Sequence, residues 1–248
     1  MAELPRILVT NDDGYTSEGI QVLADALDEL GEIWVEAPSR EQSGASHALT
    51  LDRPLRMKKL GDRRHAVDGT PTDCVTVAVG TLLADAPPAL VVSGINFGPN
   101  MGADVHYSGT VSAAFEGVIL GFPAIAVSQQ PGEGFSFHVA ARFAREVAAW
   151  VLEHGLPPDT LLNINVPAAS PRGVKLTSLG TRHYTEGVVT QIDPRGREVF
   201  WIGGGQPVWE AIEGTDFHEL GDGYVTVTPL HLDMTDGRGL EELRRRPP

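Results

Sequence analysis

A chain of 248 residues, of which 42% are hydrophobic, is long enough to form one large globular domain with its own core. Its net charge of −14 at pH 7 argues against a nucleic acid polymer as partner, because such polymers are bound by clustered Lys and Arg. A single cysteine, Cys74, excludes an intramolecular disulfide and a cysteine-rich zinc site. The sequence shows neither a leader nor an apolar run of membrane-spanning length, so we expect a cytoplasmic protein without membrane contact.

Short apolar runs alternate with helical patterns in the first part of the chain. The runs that have the length of strands cover residues 7–10, 33–36, 90–93, 124–128 and 161–166. Helices are predicted from Ser17, a suitable N-cap, to Gly31, from the Thr70-Pro71 pair onward, and over residues 137–155. This alternation predicts a parallel sheet with helices on both faces and a functional site at the carboxyl ends of the strands.

After Pro167 the pattern changes to a long β-hairpin, a further strand and a charged tail. The halves of the hairpin run from Tyr184 to Ile192 and from Glu198 to Ile202, around the turn sequence DPRG. A two-stranded ribbon is marginal by itself in water, so we expect this arm, residues 183–203, to be buried on a partner surface. The domain prediction is a single domain over residues 1–248, with an α/β core at 1–167 that would carry the functional site and a C-terminal extension at 168–248.

Polar side chains follow three of the predicted strands, where the carboxyl ends of parallel strands meet. Asp12 and Asp13 follow the first strand. Ser43 lies in the loop after the second strand, and Asn96 follows the third. Their oxygens are hard ligands that suit Mg²⁺ or Mn²⁺, and a cation would relieve the repulsion between the adjacent acids. A turn with an Asx-type cap is the simpler explanation of an isolated Asp-Asp-Gly, so the metal hypothesis depends on the shared sheet edge.

A helix start follows in the sequence HYSGTVSAAFEGV. Ser108, Gly109 and Thr110 stand at this start, where free backbone N–H groups and hydroxyls suit a phosphate, and an ordinary N-cap is the alternative. Motifs of several other enzyme classes are missing: no G-x-G-x-x-G opens a helix after a strand, and there is no P-loop and no G-x-S-x-G nucleophile elbow. Gly14 and Tyr15 stand where a haloacid dehalogenase-type phosphatase would need a second Asp, which argues against that class.

Together these segments resemble the survival protein SurE family of nucleoside monophosphate phosphatases. The resemblance rests on TNDDG, QSGAS, GTPTDCV, VVSGINFGPNMGADVHYSGTVSAAFEG, GFPAIAVS, LNINVP, GTRH, DPRG and GYVTVTPLH, which occur in the family's order over nearly the whole chain. It implies a Rossmann-like three-layer α/β/α fold with a mainly parallel sheet, and a C-terminal β-hairpin arm and tail that exchange between subunits. It also implies hydrolysis of nucleoside 5′- and 3′-monophosphates, a divalent ion in each subunit (Mg²⁺, Mn²⁺ or Co²⁺), and a homodimer or a homotetramer assembled through the arm.

The resemblance assigns roles to individual residues. The family's metal ligands match Asp12, Asp13, Ser43 and Asn96. Its motifs for phosphate binding, or for support behind the ligands, match Asn11, Gly44, Asn100, Ser108, Gly109 and Thr110.

The chemistry expected from these residues is metal-assisted hydrolysis without a covalent phosphoenzyme, with Asp12 or Asp13 as the base. The sequence names no general acid, although His47 and His106 lie in suitable segments. Two alternatives stay open at this point. One is a phosphatase that acts mainly on short polyphosphate or another small phosphate ester, and the other is a nucleotide-binding module without turnover.

Overall fold

A nine-stranded sheet organises the chain. The computed structural model describes residues 4–183, 187–202 and 208–246. The strands are β1 (Arg6–Thr10), β2 (Glu32–Pro38), β3 (Met57–Gly61), β4 (Arg64–Val67), β5 (Leu90–Phe97), β6 (Ala124–Gln129), β7 (Thr160–Val166), β8 (Val174–Leu176), β9 (Arg182–His183), β10 (Val188–Ile192), β11 (Glu198–Ile202), β12 (Val208–Trp209) and β13 (Val225–His231). The helices are α1 (Glu18–Leu27), α2 (Pro71–Val77), α3 (Gly109–Ile119), α4 (Phe137–His154), α5 (Asp216–Gly221) and α6 (Gly237–Arg245), with a π-helical turn at Ala78–Leu82 and a 3₁₀ turn at Gly102–His106.

The strand order of the main sheet is β3-β4-β2-β1-β5-β6-β7-β13-β8. All neighbouring strands from β4 to β7 are parallel, so their carboxyl ends meet at one edge. In the middle of the sheet, Val9 of β1 pairs with Val35 of β2 on one side and with Val92 of β5 on the other. The predicted parallel sheet is confirmed, and the strands that lead to Asp12 and Asn96 are neighbours.

Side chains alternate between the two faces of β1, and this alternation gives the protein a hydrophobic core on each face. Ile7 and Val9 belong to the core beneath α1 and α4. Leu8 belongs to the core beneath α2 and α3. All three side chains are fully buried. The helices therefore cover both faces, which confirms the predicted three-layer α/β/α architecture.

The start of α2 is fixed by its own sequence. The Thr70 hydroxyl accepts a hydrogen bond from Asp73 N at 3.1 Å, and the Asp73 carboxylate accepts one from Thr70 N at 2.9 Å. Pro71 occupies the first turn, where its missing N–H leaves no helical bond unmade. The predicted cap at Thr70 is thereby confirmed.

The first helix, α1, starts where predicted and ends earlier. Ser17 has the extended backbone of an N-cap, but its hydroxyl accepts a hydrogen bond from Asn11 Nδ2 and caps no backbone N–H. The helix ends at Leu27, ahead of the predicted stop at Gly31, and a turn closed by the bond from Leu30 N to Leu27 O (2.9 Å) follows it. None of the helices described is both long and apolar enough to cross a membrane.

The residues after Pro167 complete the main sheet. β13 pairs antiparallel with β7, and β8 pairs parallel with β13. At the opposite edge, β3 and β4 form an antiparallel hairpin that the apolar pattern did not predict, since β3 is largely exposed. The charged segment at the end is also more ordered than the predicted tail, because it forms α6 with Asp236 as its N-cap.

The predicted arm forms a two-stranded ribbon. β10 pairs antiparallel with β11, and the Asp193 carboxylate closes the turn by accepting hydrogen bonds from Arg195 N (2.8 Å) and Arg197 N (2.9 Å). Phe200 and Trp201 are 62% and 63% exposed on this ribbon. Residues 184–186 and 203, which the sequence assigns to the ends of the arm, lie outside the described residues.

Candidate active site

A cleft of about 780 Å³ opens at the carboxyl edge of the sheet and gathers most of the predicted site. All predicted metal ligands line it: Asp12, Asp13, Ser43 and Asn96. Three of the predicted phosphate-binding residues line it as well: Gly44, Asn100 and Ser108. The remaining three are buried and do not contribute to its wall: Asn11, Gly109 and Thr110.

Asp12 is held at the end of β1 by the start of α3. Its side chain is buried, and the Thr110 hydroxyl donates a hydrogen bond to its Oδ1. A Cβ added at Gly109 would lie 2.8 Å from Asp12 Cβ, so only glycine lets the helix approach this closely. The two predicted parts of the site, the carboxylates after β1 and the helix start, are therefore in direct contact.

The charged residues that the structure describes in the cleft wall are all acidic. Glu41 and Asp104 line it beside Asp12 and Asp13, whereas neither Lys nor Arg is found among the described residues of its wall. Burial raises the pKa of Asp12, and burial together with the negative charge of Asp12 raises the pKa of Asp13 to about 6. Carboxylates that resist ionising side by side are stabilised by a bound cation. The donor set of this cleft therefore fits a divalent metal ion.

Ser43 reaches the cleft from the loop between β2 and β3. The start of this loop is held against the turn that follows β1, because Gln42 N donates a hydrogen bond to Asp12 O at 2.8 Å. Gly44 follows with a φ of +71°, a conformation that favours glycine. The Ser43 hydroxyl donates to Glu41 Oε1 at 2.8 Å, so the lone pairs of Ser43 Oγ can serve a cation.

The same loop is tied to α3 through His47. His47 Nε2 lies 2.9 Å from Glu116 Oε2, and Glu116 Oε1 accepts a hydrogen bond from Thr76 at 2.9 Å. These contacts lower the pKa of Glu116, and the hydrogen bond with His47 has the largest effect. His47 and His106, the histidines considered as general acids, are absent from the described cleft wall. The structure thus gives His47 a part in holding the Ser43 loop.

Asn96 is placed by an irregular end of β5. Gly94 has a φ of +139°, and a Cβ at this position would lie 2.4 Å from Val127 O. The pairing of β5 with β6 shifts register between Ser93 and Asn96. The Asn96 side chain donates Nδ2 to Gly98 O at 2.7 Å, which leaves its amide oxygen as the available ligand atom.

Asn100 is fixed by residues that do not belong to the predicted site. Asn100 N donates to Asn165 Oδ1 at 2.8 Å, and Asn100 O accepts from Asn163 Nδ2 at 2.8 Å and Asn165 Nδ2 at 3.0 Å. Its side chain donates to Ser128 Oγ at 2.9 Å. The sequence feature that points to Asn163 and Asn165 is their place in the otherwise apolar strand LNINVP, because buried amides nearly always have hydrogen-bond partners.

Asp216 is another residue that the sequence did not predict as part of the site. Its carboxylate accepts hydrogen bonds from Gly102 N at 2.9 Å and Gly180 N at 2.8 Å. The side chain is fully buried, and burial raises its pKa. Asp216 therefore ties the C-terminal extension to the loop that carries Asn100.

The start of α3 offers donors to an anion. The Ser108 side chain caps the helix by accepting a hydrogen bond from Val111 N at 3.1 Å, and Ser108 lines the cleft. The first N–H groups of an α-helix have no partner within the helix and favour negative charge. Phosphate binding at Ser108 is consistent with this position, whereas Val111 N is occupied by the cap and Gly109 and Thr110 do not line the cleft.

Asn11 has a different place from the one expected of a phosphate ligand. Its side chain donates Nδ2 to Gly14 O at 3.0 Å and to Ser17 Oγ at 2.8 Å, and it is fully buried. These bonds brace the turn that presents Asp12 and Asp13. The contacts indicate a supporting role behind the carboxylates, and direct phosphate binding by Asn11 stays a prediction.

Comparison with known proteins gives a consistent result over nearly the whole chain. A family model described as "Survival protein SurE" matches residues 7–186. The protein named 5′-nucleotidase SurE from Geobacter sulfurreducens is 52% identical over 242 residues, which cover 96% of this chain and 92% of that protein. Its namesake from Myxococcus xanthus is 51% identical over 240 residues, with the same shares of each chain covered. The crystal structure of the SurE protein from Aquifex aeolicus matches with a TM-score of 0.87 at 44% identity and covers 97% of this chain and 99% of that one.

Proposed function

The chain belongs to the survival protein SurE family, and from this premise we propose that it is a divalent-metal-dependent 5′-nucleotidase that releases nucleoside and phosphate. The proposal includes hydrolysis of 3′-monophosphates at the same site. It also includes one ion site in each subunit that accepts Mg²⁺, Mn²⁺ or Co²⁺, since all of these bind carboxylate, hydroxyl and amide oxygens.

The charge of the cleft is the observation that carries this proposal. A phosphate monoester is an anion, and the cleft presents it with the carboxylates of Asp12, Asp13, Glu41 and Asp104. None of the described wall residues is a Lys or Arg that could offset them. A bound cation would offset this charge and let a phosphate enter, and oxygen ligands for that cation stand at the ends of neighbouring strands.

The side chains of the cleft have three separate roles in hydrolysis: metal binding, phosphate binding and general base. Asp12, Asp13, Ser43 and Asn96 would hold the ion, which when bound supplies Lewis-acid polarisation of a phosphoryl oxygen. The Ser108 hydroxyl, which stands at the start of α3 and lines the cleft, binds a further phosphoryl oxygen and stabilises the charge that develops on it. Asp13 is the better base of the acidic pair, because it is half-buried and Asp12 Oδ1 is already bonded to Thr110.

The function is tested by phosphate release from a substrate panel after treatment with a chelator. The panel contains 5′- and 3′-nucleoside monophosphates, ribose 5-phosphate and tripolyphosphate, with Mg²⁺, Mn²⁺, Co²⁺ or Zn²⁺ added back. We expect turnover of 5′-nucleotides that depends on the added ion. Preferred hydrolysis of tripolyphosphate would support the polyphosphatase alternative, and nucleotide binding without phosphate release would contradict the enzyme.

No covalent phosphoenzyme is expected during turnover. If water attacks the phosphorus directly, acid quenching with labelled substrate should trap no phosphate on Asp12, Asp13, Ser108 or Thr110. A single in-line displacement also inverts a chiral phosphorus, which hydrolysis in ¹⁸O-water reports for a substrate made chiral at phosphorus by sulfur and ¹⁷O. Labelled phosphate stably bound to one of these side chains, or retention of configuration, would contradict direct attack.

We further propose that the arm pairs with a second copy of the chain in a homodimer, with a homotetramer as the larger alternative. Phe200, Trp201 and Ile202 expose large apolar surfaces, and burying them would contribute on the order of several kcal/mol at ~25 cal/mol per Å². Gly187 and Ile202 also line the cleft, so the arm borders the substrate site.

Deleting residues 183–203 and joining the ends with a short Gly-Ser linker should shift the protein to smaller species. The reason is that the deletion removes the apolar surface that the partner would cover. Light scattering of the variant beside the intact chain measures the shift, and Trp150→Ser, which changes an exposed aromatic on α4, is the control. An unchanged mass for the deletion variant would show that the arm is no assembly element.

A further inference from the structure

Phe97 places an aromatic ring at the wall of the cleft. It is the last residue of β5 and directly follows the proposed ligand Asn96. Its side chain is 58% exposed although it lines the cleft. The mechanism proposed above gives this ring no role, and an exposed aromatic side chain gains little for the stability of the fold.

A row of rings connects Phe97 to the hydrophobic core. The centroids of the Phe97 and Phe135 rings are 5.2 Å apart, with an interplanar angle of 72°. Phe135 in turn lies 4.8 Å from Phe137 at 78°. Phe137 opens α4 and belongs to the core beneath α1 and α4. Edge-to-face pairs of this kind are favourable, so the Phe97 ring is held in place before any ligand arrives.

The geometry of the first pair leaves a face of the Phe97 ring available. In an edge-to-face pair, one ring offers its edge and the other offers one of its two faces. Whichever part Phe97 takes, at least one of its faces stays uncovered by Phe135. A rigid ring with an open face at the wall of a wet cleft is a platform on which a planar group can stack.

We propose that Phe97 is a specificity-determining residue, a stacking platform for the nucleobase of the substrate. This inference rests on the proposed nucleotidase function and adds which part of the substrate is recognised. Every base has a π-face, so a platform selects for the presence and size of a base and tolerates its identity. Nucleotides should therefore be preferred over sugar phosphates, and purine nucleotides over pyrimidine nucleotides.

The test compares the intact protein with Phe97→Ala, Phe97→Trp and Phe135→Ala. Each is assayed on AMP, CMP and ribose 5-phosphate, which has the same phosphorylated sugar without a base. Binding of AMP and ribose 5-phosphate is also measured by calorimetry in the presence of Mn²⁺, so the platform is judged even if turnover is absent. Trp150→Ala, which removes an aromatic that is 50% exposed and does not line the cleft, is the matched control.

For Phe97→Ala we expect the preference for AMP over ribose 5-phosphate to shrink by roughly 5-fold or more, mainly through KM and Kd, since removing a stacking ring weakens a base contact by at least that factor. Phe97→Trp should keep the preference for AMP. Phe135→Ala should lose part of this preference, because the Phe97 ring is no longer held in place. A preference that is unchanged in Phe97→Ala would overturn the proposal, as would wild-type protein that binds AMP no better than ribose 5-phosphate. Wild-type protein that binds AMP better but releases no phosphate would refute the nucleotidase and leave the platform supported.

Discussion

Asp12→Asn is expected to lower turnover of nucleoside monophosphates by ~10²-fold or more, since even the loss of outer partners of metal ligands costs 10- to 100-fold. Asn keeps the shape of the side chain and removes the charge that would bind the ion. It also keeps an oxygen that can accept the hydrogen bond of Thr110, so the contact between β1 and α3 survives. The expected loss therefore lies in metal affinity and chemistry.

Two measurements separate this effect from damage to the fold. Calorimetric titration with Mn²⁺ should show weaker binding to Asp12→Asn, whereas its thermal unfolding without metal should change little, because burial already disfavours the charged form of Asp12. Asp52→Asn, a change at an exposed loop position, is the control. Full activity of chelator-treated Asp12→Asn after metal is restored would refute the assignment of Asp12 as a ligand.

The sequence predicted the parts of the site that depend on chain order. Parallel strands have their carboxyl ends at one edge, so residues that follow neighbouring strands must lie close together. Asp12 and Ser43 follow separate strands and Asn96 lies near the carboxyl end of a third, and the structure places all three in one cleft. The start of α3 was predictable for the same reason, since Ser108 and Gly109 precede an apolar helical pattern.

Residues that act through distant contacts were not predictable in this way. Asp216 bonds to the backbone of Gly102, and Asn165 bonds to that of Asn100, across separations that no local pattern records. The ring contact between Phe97 and Phe135 likewise appears only when the end of β5 meets the loop before α4. Edge elements such as β3 were missed because an exposed edge strand carries no alternating apolar signal.

Glu36 is an exception to the rule that a buried carboxylate has a partner. It lies on β2, is 1% exposed, and neither of its carboxylate oxygens has a hydrogen-bond partner among the described residues. Burial raises its pKa to about 8. The neighbouring groups supply no positive charge to offset an ionised Glu36. His65 pairs with it in register on β4, and burial lowers the pKa of His65. The pKa of Cys74 on α2 is raised by burial and by the charge of Glu36.

Glu36→Gln is therefore expected to stabilise the protein at alkaline pH and to have little effect in mild acid. A carboxyl group whose pKa is raised on folding gives its full contribution to stability below the pKa of about 4.5 in the unfolded chain, and loses it as pH rises through the folded pKa of about 8. Gln has no such titration, so the variant should gain on the order of a few kcal/mol over the wild type at pH 8.5 and much less at pH 5.

Urea unfolding of both proteins at the two pH values, with chelator present, measures the difference in unfolding free energy. Asp12 and Asp13 titrate in both proteins, so their contribution cancels in this difference. Glu133→Gln in an exposed loop is the control, and a stability change in Glu36→Gln that is equal at both pH values would show that Glu36 is not a buried acid that must ionise.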